Sequence, residues 1–426
     1  MEKIKMTEWK EVKLGDVCLD VSYGYTASAT SEKIGPKFLR ITDVVPYFIH
    51  WDDVPYCNIP EDLLERYLLK KGDIVIARTG ATSGYNAVID NDIKAVYASY
   101  LIRFRPNPEN VFSFFMKYVL KSEKYKDFIK SNVSGSAQPG INAQVLSQFS
   151  FSLPPLDVQR KIAGILGALD DKIEVLRAQN KTLEQMAQAV FQSWFVDFDI
   201  VRAKAAGLPA ADVCKKYHIT PDIYDLFPSA FSADNLPLGW EKKKLGDMVC
   251  NVKENIKAGK ETIIKPYVPI DCISSKTLTL YESKSGEEAQ SSLISFRQKD
   301  ILFGAMRAYF HKVCIAPYEG TTRSTAFVLR PYKQKDLSFS LLSVFQKNCI
   351  DFASMNSKGS TMPYAVWDHC LSDYQTEASS STIRDAFNNI VEPYLDKLIE
   401  NSKQIRTLEQ TRDTLLPQLI SGNIEV

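Results

Sequence analysis

The residues best suited to chemistry in this chain sit in short polar loops. Arg78-Thr79-Gly80-Ala81-Thr82-Ser83-Gly84-Tyr85 follows Asp73 to Ala77, an apolar run that reads as a strand. Its glycines let backbone approach a ligand closely. Its Arg, Thr, Ser and Tyr side chains can bond to phosphate oxygens or to nucleic-acid base edges. In the second half, Arg307-Ala308-Tyr309-Phe310-His311-Lys312 follows Asp300 to Phe303 in what looks like the same position. A second pair of loops, Ser134 to Gly140 and Ser357 to Pro363, also opens on Ser and Gly. The candidate DNA contacts are therefore Arg78, Thr79, Gly80, Ser83, Tyr85, Ser134, Ser136 and Gln138 in the first half. In the second half they are Arg307, Tyr309, His311, Lys312, Ser357, Lys358 and Ser360. Tyr23, Tyr25, Arg40, Thr42, Lys257, Lys260 and Arg323 are weaker candidates. A solvated hairpin tip uses the same residue types, so the loops alone do not decide.

Motifs for catalysis are missing. There is no G-x-x-x-x-G-K-[ST] loop for nucleotide phosphates, and no Asn- or Asp-Pro-Pro-aromatic tetrapeptide for adenine methylation. Glu282-Ser283-Lys284 is half of a nuclease-like element without a Pro-Asp partner at suitable spacing. His50, His218, His311 and His369 are isolated, and none of the eight cysteines forms a C-x-x-C pair, so no metal site is expected. The chain is expected not to be an enzyme.

The bulk numbers describe an ordinary soluble protein: 426 residues, 45% hydrophobic, 24% charged. That length implies two or three domains. No apolar run is long enough to cross a membrane, and Met1 to Lys10 is too polar for a secretory signal, which points to the cytoplasm. The net charge of +1 neither supports nor excludes DNA binding.

The elements that position the loops come twice. Trp9 to Asp16 (W-x-x-x-x-L-G-D) returns as Trp240 to Asp247, and Gly72-Asp73-Ile74-Val75 as Lys299-Asp300-Ile301-Leu302. Phe104-Arg105-Pro106 answers Leu329-Arg330-Pro331. Gly135-Ser136 answers Gly359-Ser360, and Thr182-Leu183-Glu184-Gln185 returns verbatim at Thr407 to Gln410. Five matches in one order imply a duplicated unit of about 225 residues. Each copy has short β-rich runs, then a helical stretch (Val111 to Ser131, or Leu337 to Ser354), then a longer helix.

The longer helices carry a heptad-like stripe. In the first copy it runs Val158, Ile162, Ile165, Leu169, Ile173, Leu176, Asn180, Leu183, Ala187, Val190, Trp194. In the second it runs Ile383, Phe387, Ile390, Tyr394, Leu398, Asn401, Ile405, Leu408, Arg412, Leu415, Leu419. Such a stripe predicts an antiparallel intramolecular coiled coil, with Asn180 and Asn401 as a polar register pair. Asp157, and Ser381 or Thr382, are the expected helix caps, and Gly422 ends the second helix. Residues 195–239 have no twin and read as a Pro-punctuated surface tether.

Several of these segments together resemble the specificity subunits of type I restriction–modification systems. They are Trp-x-x-x-x-Leu-Gly-Asp in both halves, Lys-Gly-Asp-Ile before Ala-Arg-Thr-Gly, and Ser-Gly-Ser-x-Gln-Pro-Gly-Ile. Leu-Pro-Pro-Leu-x-x-Gln, Trp194-Phe195-Val196-Asp197-Phe198 and Leu416-Pro417-x-Leu419-Ile420-Ser421-Gly422 complete the set. The second half departs from the pattern at Lys299 and at Arg-Ala-Tyr. The resemblance implies an α+β fold of two duplicated β-rich target-recognition domains separated by two long antiparallel coiled-coil helices, in a pseudo-twofold arrangement. It places recognition domain 1 at residues 1–154, the first spacer helix at 155–198 and a linker at 199–238. Domain 2 then spans 239–380, and the second helix with the tail 381–426. It further implies double-stranded DNA, two methyltransferase subunits carrying S-adenosylmethionine, and restriction subunits joined through the complex, with no cofactor on this chain. A scaffold that binds protein partners only is the competing reading, and a fused DNA-modifying enzyme a third.

Overall fold

The computed structural model describes residues 9–133, 140–290 and 292–426. It divides into two compact units that each cut across both long helices. One unit joins the chain up to Asp171 with Glu409–Val426; the other is Lys172–Leu408.

The first unit contains β1 (Lys10–Lys13), β2 (Cys18–Tyr23), β3 (Lys37–Leu39), β4 (Ile74–Ala77), β5 (Asn86–Val88), β6 (Ala95–Tyr97), β7 (Leu101–Pro106) and β8 (Ser150–Leu153). Its main sheet is antiparallel, in the order β2-β7-β4-β5, while β1 pairs with β8 and β3 runs parallel to β6. The second unit contains β9 (Glu241–Lys244), β10 (Val249–Asn251), β11 (Asn255–Ile256), β12 (Leu293–Phe296), β13 (Ile301–Gly304), β14 (Val313–Ile315), β15 (Gly320–Thr322), β16 (Ala326–Pro331) and β17 (Gln375–Ala378). Here the main sheet has the order β10-β16-β13-β14, β9 pairs with β17, and β11-β12-β15 form a third sheet. Strand for strand, the main sheets and the flanking pairs have the same topology. Their registers agree as well: Ile74 faces Phe104 and Val88, as Ile301 faces Leu329 and Ile315. The smaller sheets differ, so the duplication is exact in the frame and loose in what decorates it.

The repeated motifs hold this frame. β4 and β13 are buried along their whole length, as centre strands covered on both faces must be. Asp73 and Asp300, both buried, each accept two hydrogen bonds at 2.7 Å from an arginine of the neighbouring strand, Arg105 and Arg330. Gly72 has φ +91°, a conformation that suits glycine, and its counterpart Lys299 adopts φ +72°. The Lys299 ammonium is held by Glu392 at 2.8 Å and Asp396 at 2.7 Å on the second long helix. A Cβ at Gly15 would lie 2.7 Å from Ser147, too close for a side chain, and one at Gly246 would crowd Ser372 at 3.1 Å. The fully buried Gln159 of the Leu-Pro-Pro-Leu-x-x-Gln motif donates to Asn110 O and Pro154 O and accepts from Phe112 N. In the second copy Arg384 takes over, donating to Asp336 and to Ser379 O.

The predicted helical stretches each break in two, into Ser113–Val119 with Glu123–Asn132 and Leu337–Phe345 with Lys347–Met355. The first break is set by Ser122, whose hydroxyl caps the following helix at Tyr125 N. The long helices span Leu156–Phe191 and Ser381–Ile420. Asp157 therefore lies in the first turn rather than at the cap, and the second helix is capped by Ser380, whose Oγ accepts from Ile383 N. Within the second unit the helices run antiparallel: Asn180 meets Asn401, and Phe191 packs on Phe387. Within the first they do so again, with Asp170 against Arg412 and Lys161 against the Val426 carbonyl.

The predicted stripe needs correction in both copies at the same places. Ile165 is 41% exposed, and Leu169, Ile390 and Tyr394 are only half-buried; Leu166, Asp170, Val391 and Leu395 are buried instead. The reason is a change of partner along each helix. Val158, Ile162, Ala163 and Leu166 pack into the core of the first β-rich domain, and Ile383, Phe387, Val391 and Leu395 into that of the second. Helix–helix pairing takes over at Ile173, Leu176 and Ile405. Leu183 and Leu408 stay half-buried, while Glu184 is buried. A helix against a sheet follows 3.6-residue periodicity, so a strict heptad drifts off the buried face.

The surface tether is also overturned. Residues 199–238 contain helices Asp199–Ala205, Ala210–Tyr217 and Pro221–Leu226, and Ile200, Val201, Val213, Ile219 and Phe227 are buried in the second unit's core. Trp194 stacks edge-on against Phe227 at 4.9 Å, and Phe195 and Phe198 pack on Trp240. Enough apolar residues lie between the prolines to make this segment core.

Candidate nucleic-acid interface

The C-terminal end of β4 builds the first candidate site. Arg78 N donates to Tyr100 O at 3.0 Å, and Arg78 O accepts from Ile141 N at 2.8 Å, so three segments converge on this residue. The half-buried Arg78 guanidinium lies 4.9 Å from the Tyr23 ring, whose hydroxyl accepts from Ala143 N. Tyr23 and Tyr100 are exposed. The site thus presents a cation oriented by a tyrosine ring, suited to a base edge or a phosphate. Thr79 bridges to Gly140, and Gly80 has φ +79° with open space where a Cβ would be. The Ser83 hydroxyl donates to Gly80 O at 2.8 Å, and its role in the loop is to close the turn. Gly84 is pinned beneath Ile129, and its carbonyl accepts from Tyr125 and Asn86. Exposed Tyr85 lines a cavity of about 1060 Å³ with Lys121, Lys124, Lys126 and Lys130. Burial beside Lys117 pulls the Lys121 ammonium down to about 8. Ser134, Ser136 and Gln138 lie outside the described residues. Of the weaker candidates, Arg40 is committed to Asp43 by two hydrogen bonds, and Thr42 is exposed.

The second site repeats the frame with a different register from the expected one. Ala305 N donates to Thr325 O, and Ala365 N donates to Ala305 O. These are the bonds made by Arg78, so Ala305, not Arg307, is its counterpart. The Met306–Tyr364 bridge matches Thr79–Gly140, and Arg307, at φ +51°, stands where Gly80 stands. Arg307 N is anchored to Pro363 O at 2.7 Å. Tyr309 is exposed. His311 and Lys312 do not serve as free cations: the imidazole packs 4.5 Å from Phe345, where burial lowers its proton affinity, and the Lys312 ammonium donates to Ile270 O at 2.8 Å. Ser357 donates to Ala353 O, whereas Lys358 and Ser360 lie exposed on a hairpin closed by Lys358 and Tyr364. Arg323, Lys257 and Lys260 are exposed. Sequence reading missed Phe310 and Tyr100, both exposed aromatic residues beside these loops.

A family model described as the type I restriction modification DNA specificity domain matches residues 6–185. The HindI specificity subunit of Haemophilus influenzae is 26% identical, over 98% of this chain and all of that one. Residues 6–185 match that domain, and the chain is similar over nearly its whole length to a type I specificity subunit. The MjaIX specificity subunit of Methanocaldococcus jannaschii is also 26% identical, across 87% of this chain and 82% of its own length. The type I specificity subunit of M. genitalium superposes with a TM-score of 0.58 at 15% identity over 98% of both chains, which shows a shared fold. No described helix of the chain is long and apolar enough to cross a membrane.

Proposed function

We propose that this chain reads a bipartite DNA target, one β-rich domain per half-site, and performs no catalysis itself. One observation carries the reading: the same hydrogen-bonded frame at the ends of β4 and β13 is dressed with different side chains, Arg78-Thr79-Gly80 in one copy and Ala305-Met306-Arg307 in the other. A common scaffold with divergent contact residues is what two unlike half-sites require. Methyl transfer then falls to two methyltransferase subunits that hold S-adenosylmethionine, and restriction subunits join through that complex in the cytoplasm.

Arg78→Ala tests the first contact site. A bidentate bond to guanine is worth ~1–3 kcal/mol, so its loss weakens binding about fivefold to a hundredfold and relaxes specificity at one position. A phosphate contact instead weakens all sequences alike and lowers the salt slope by about one. Either result, measured on the complex with its methyltransferase partner, supports an Arg78–DNA contact. Unchanged affinity with an unchanged salt slope contradicts it.

A further inference from the structure

We infer that the second domain reads its half-site with an aromatic wedge, Tyr309 and Phe310 entering a base step of the DNA. The inference rests on the DNA-reading function proposed above. The two side chains are 54% and 46% exposed, with ring centroids 4.8 Å apart. They ride on a single helical turn, Ala308–Phe310, flanked by two non-glycine residues in the left-handed region, Arg307 at φ +51° and His311 at φ +54°. Such backbone persists only where its surroundings hold it. Here they do. Ala308 is buried, Arg307 N bonds to Pro363 O, and His311 N bonds to Ala308 O at 2.8 Å. His311 O accepts from Lys276 N at 2.8 Å. A strained, well-anchored turn thus presents two rings that contribute nothing to the core.

The charges around the rings select nucleic acid as the occupant. Arg307 adds a third positive charge at the base of the turn, and its buried Nε has no hydrogen-bond partner among the described residues. Exposed Arg323 and Lys358 sit on the two segments that bond to the same strand end, through Thr325 and Tyr364. An aromatic tip with exposed cations on the adjoining segments suits a base stack flanked by phosphates. In the first domain, the Gly80 position is followed by Ala81, Thr82 and Ser83, so no wedge forms there. The first half-site is then read by hydrogen bonds and the second partly by deformation.

The test is 2-aminopurine fluorescence in the complex of this chain with its methyltransferase partner. The probe is placed in turn at each adenine of the second half-site and its flanks, except the methylated one, which the methyltransferase itself takes out of the stack. The wedge predicts a rise at one step, retained by Phe310→Leu and lost by the Tyr309→Ala/Phe310→Ala double variant. That double variant binds about ten- to a hundredfold more weakly, as expected for lost aromatic–base contacts. A mismatch at the step tightens binding of the unsubstituted protein but not of the double variant. Specific binding with no rise at any position, or a rise undiminished in the double variant, overturns the wedge and leaves the DNA-reading function standing. Failure of the unsubstituted complex to bind any specific sequence overturns both.

Discussion

Replacing Asp170 with alanine is expected to destabilise the chain by about 3–5 kcal/mol, the usual cost of stranding a buried charge. Asp170 is fully buried on the first long helix. Its carboxylate accepts from Tyr118 Oη at 2.9 Å, Tyr47 Oη at 3.1 Å, Lys117 Nζ at 2.7 Å and Arg412 at 3.1 Å. Arg412 comes from the second long helix and stacks 4.4 Å from the Tyr47 ring. Removing the acid leaves a largely buried guanidinium beside an ammonium, with Asp413 still paired to Arg412. The copy-related positions show that the ion pair is not needed for helix pairing as such: 225 residues on from Asp170 is Leu395, and 225 back from Arg412 is Ala187. The double variant Asp170→Leu/Arg412→Met should therefore recover most of the loss. Urea unfolding at unchanged slope measures both. A loss under about 1 kcal/mol for Asp170→Ala would show that the cluster is solvated in solution.

The second large effect concerns the length of the paired helices. If they set the spacing between half-sites, lengthening them should lengthen the spacer in the DNA target. The stripe alone permits a four-residue insertion after Leu176, but the polar pairs forbid inserting into one helix only. Asp170 and Asn180 are ten residues apart (170 to 180), and their partners Arg412 and Asn401 eleven (401 to 412). A one-sided insertion pulls one pair out of register and strands either a buried charge or a buried amide. Four residues inserted after both Leu176 and Ile405 keep both pairs and nearly keep the stripe. They add roughly 6 Å, room for a base pair or two. The expected result is a methylated motif with a longer spacer, while the one-sided insertion assembles poorly. A folded, partner-binding double insertion that keeps the original spacer would mean that the ruler lies elsewhere.

The duplication, the sheet-bearing halves and the two long helices were legible because short motifs return in order. Those motifs turn out to be frame: Asp73 with Arg105, Gly15 against Ser147, Gln159 under its loop. The contact residues were less legible for the same reason, since nothing in the frame constrains them. Arg78 and Arg307 look equivalent as letters, yet backbone bonds place Ala305 opposite Arg78. Ile165 fits a heptad, but the helix there faces its own β-rich domain and buries Leu166. In residues 199–238 the prolines suggested a tether, whereas Ile200, Val201 and Phe227 pack as core. Asn180 and Asn401, single polar residues on two apolar stripes, are within reach of one another at 2.9 Å, with both side chains buried.

The central claim is one half-site per domain. Its most direct test is methylome sequencing of a host carrying this chain and the proposed methyltransferase partner, before and after residues 9–153, the proposed first recognition domain, are exchanged for the corresponding segment of a similar specificity subunit. The donor must keep apolar residues facing Val158, Ile162, Leu166 and Leu419, on which the first domain's core closes. The account predicts a bipartite methylated motif in which the exchange rewrites one half and leaves the other and the spacer unchanged. A continuous motif, or a folded chimera that rewrites both halves, would contradict it.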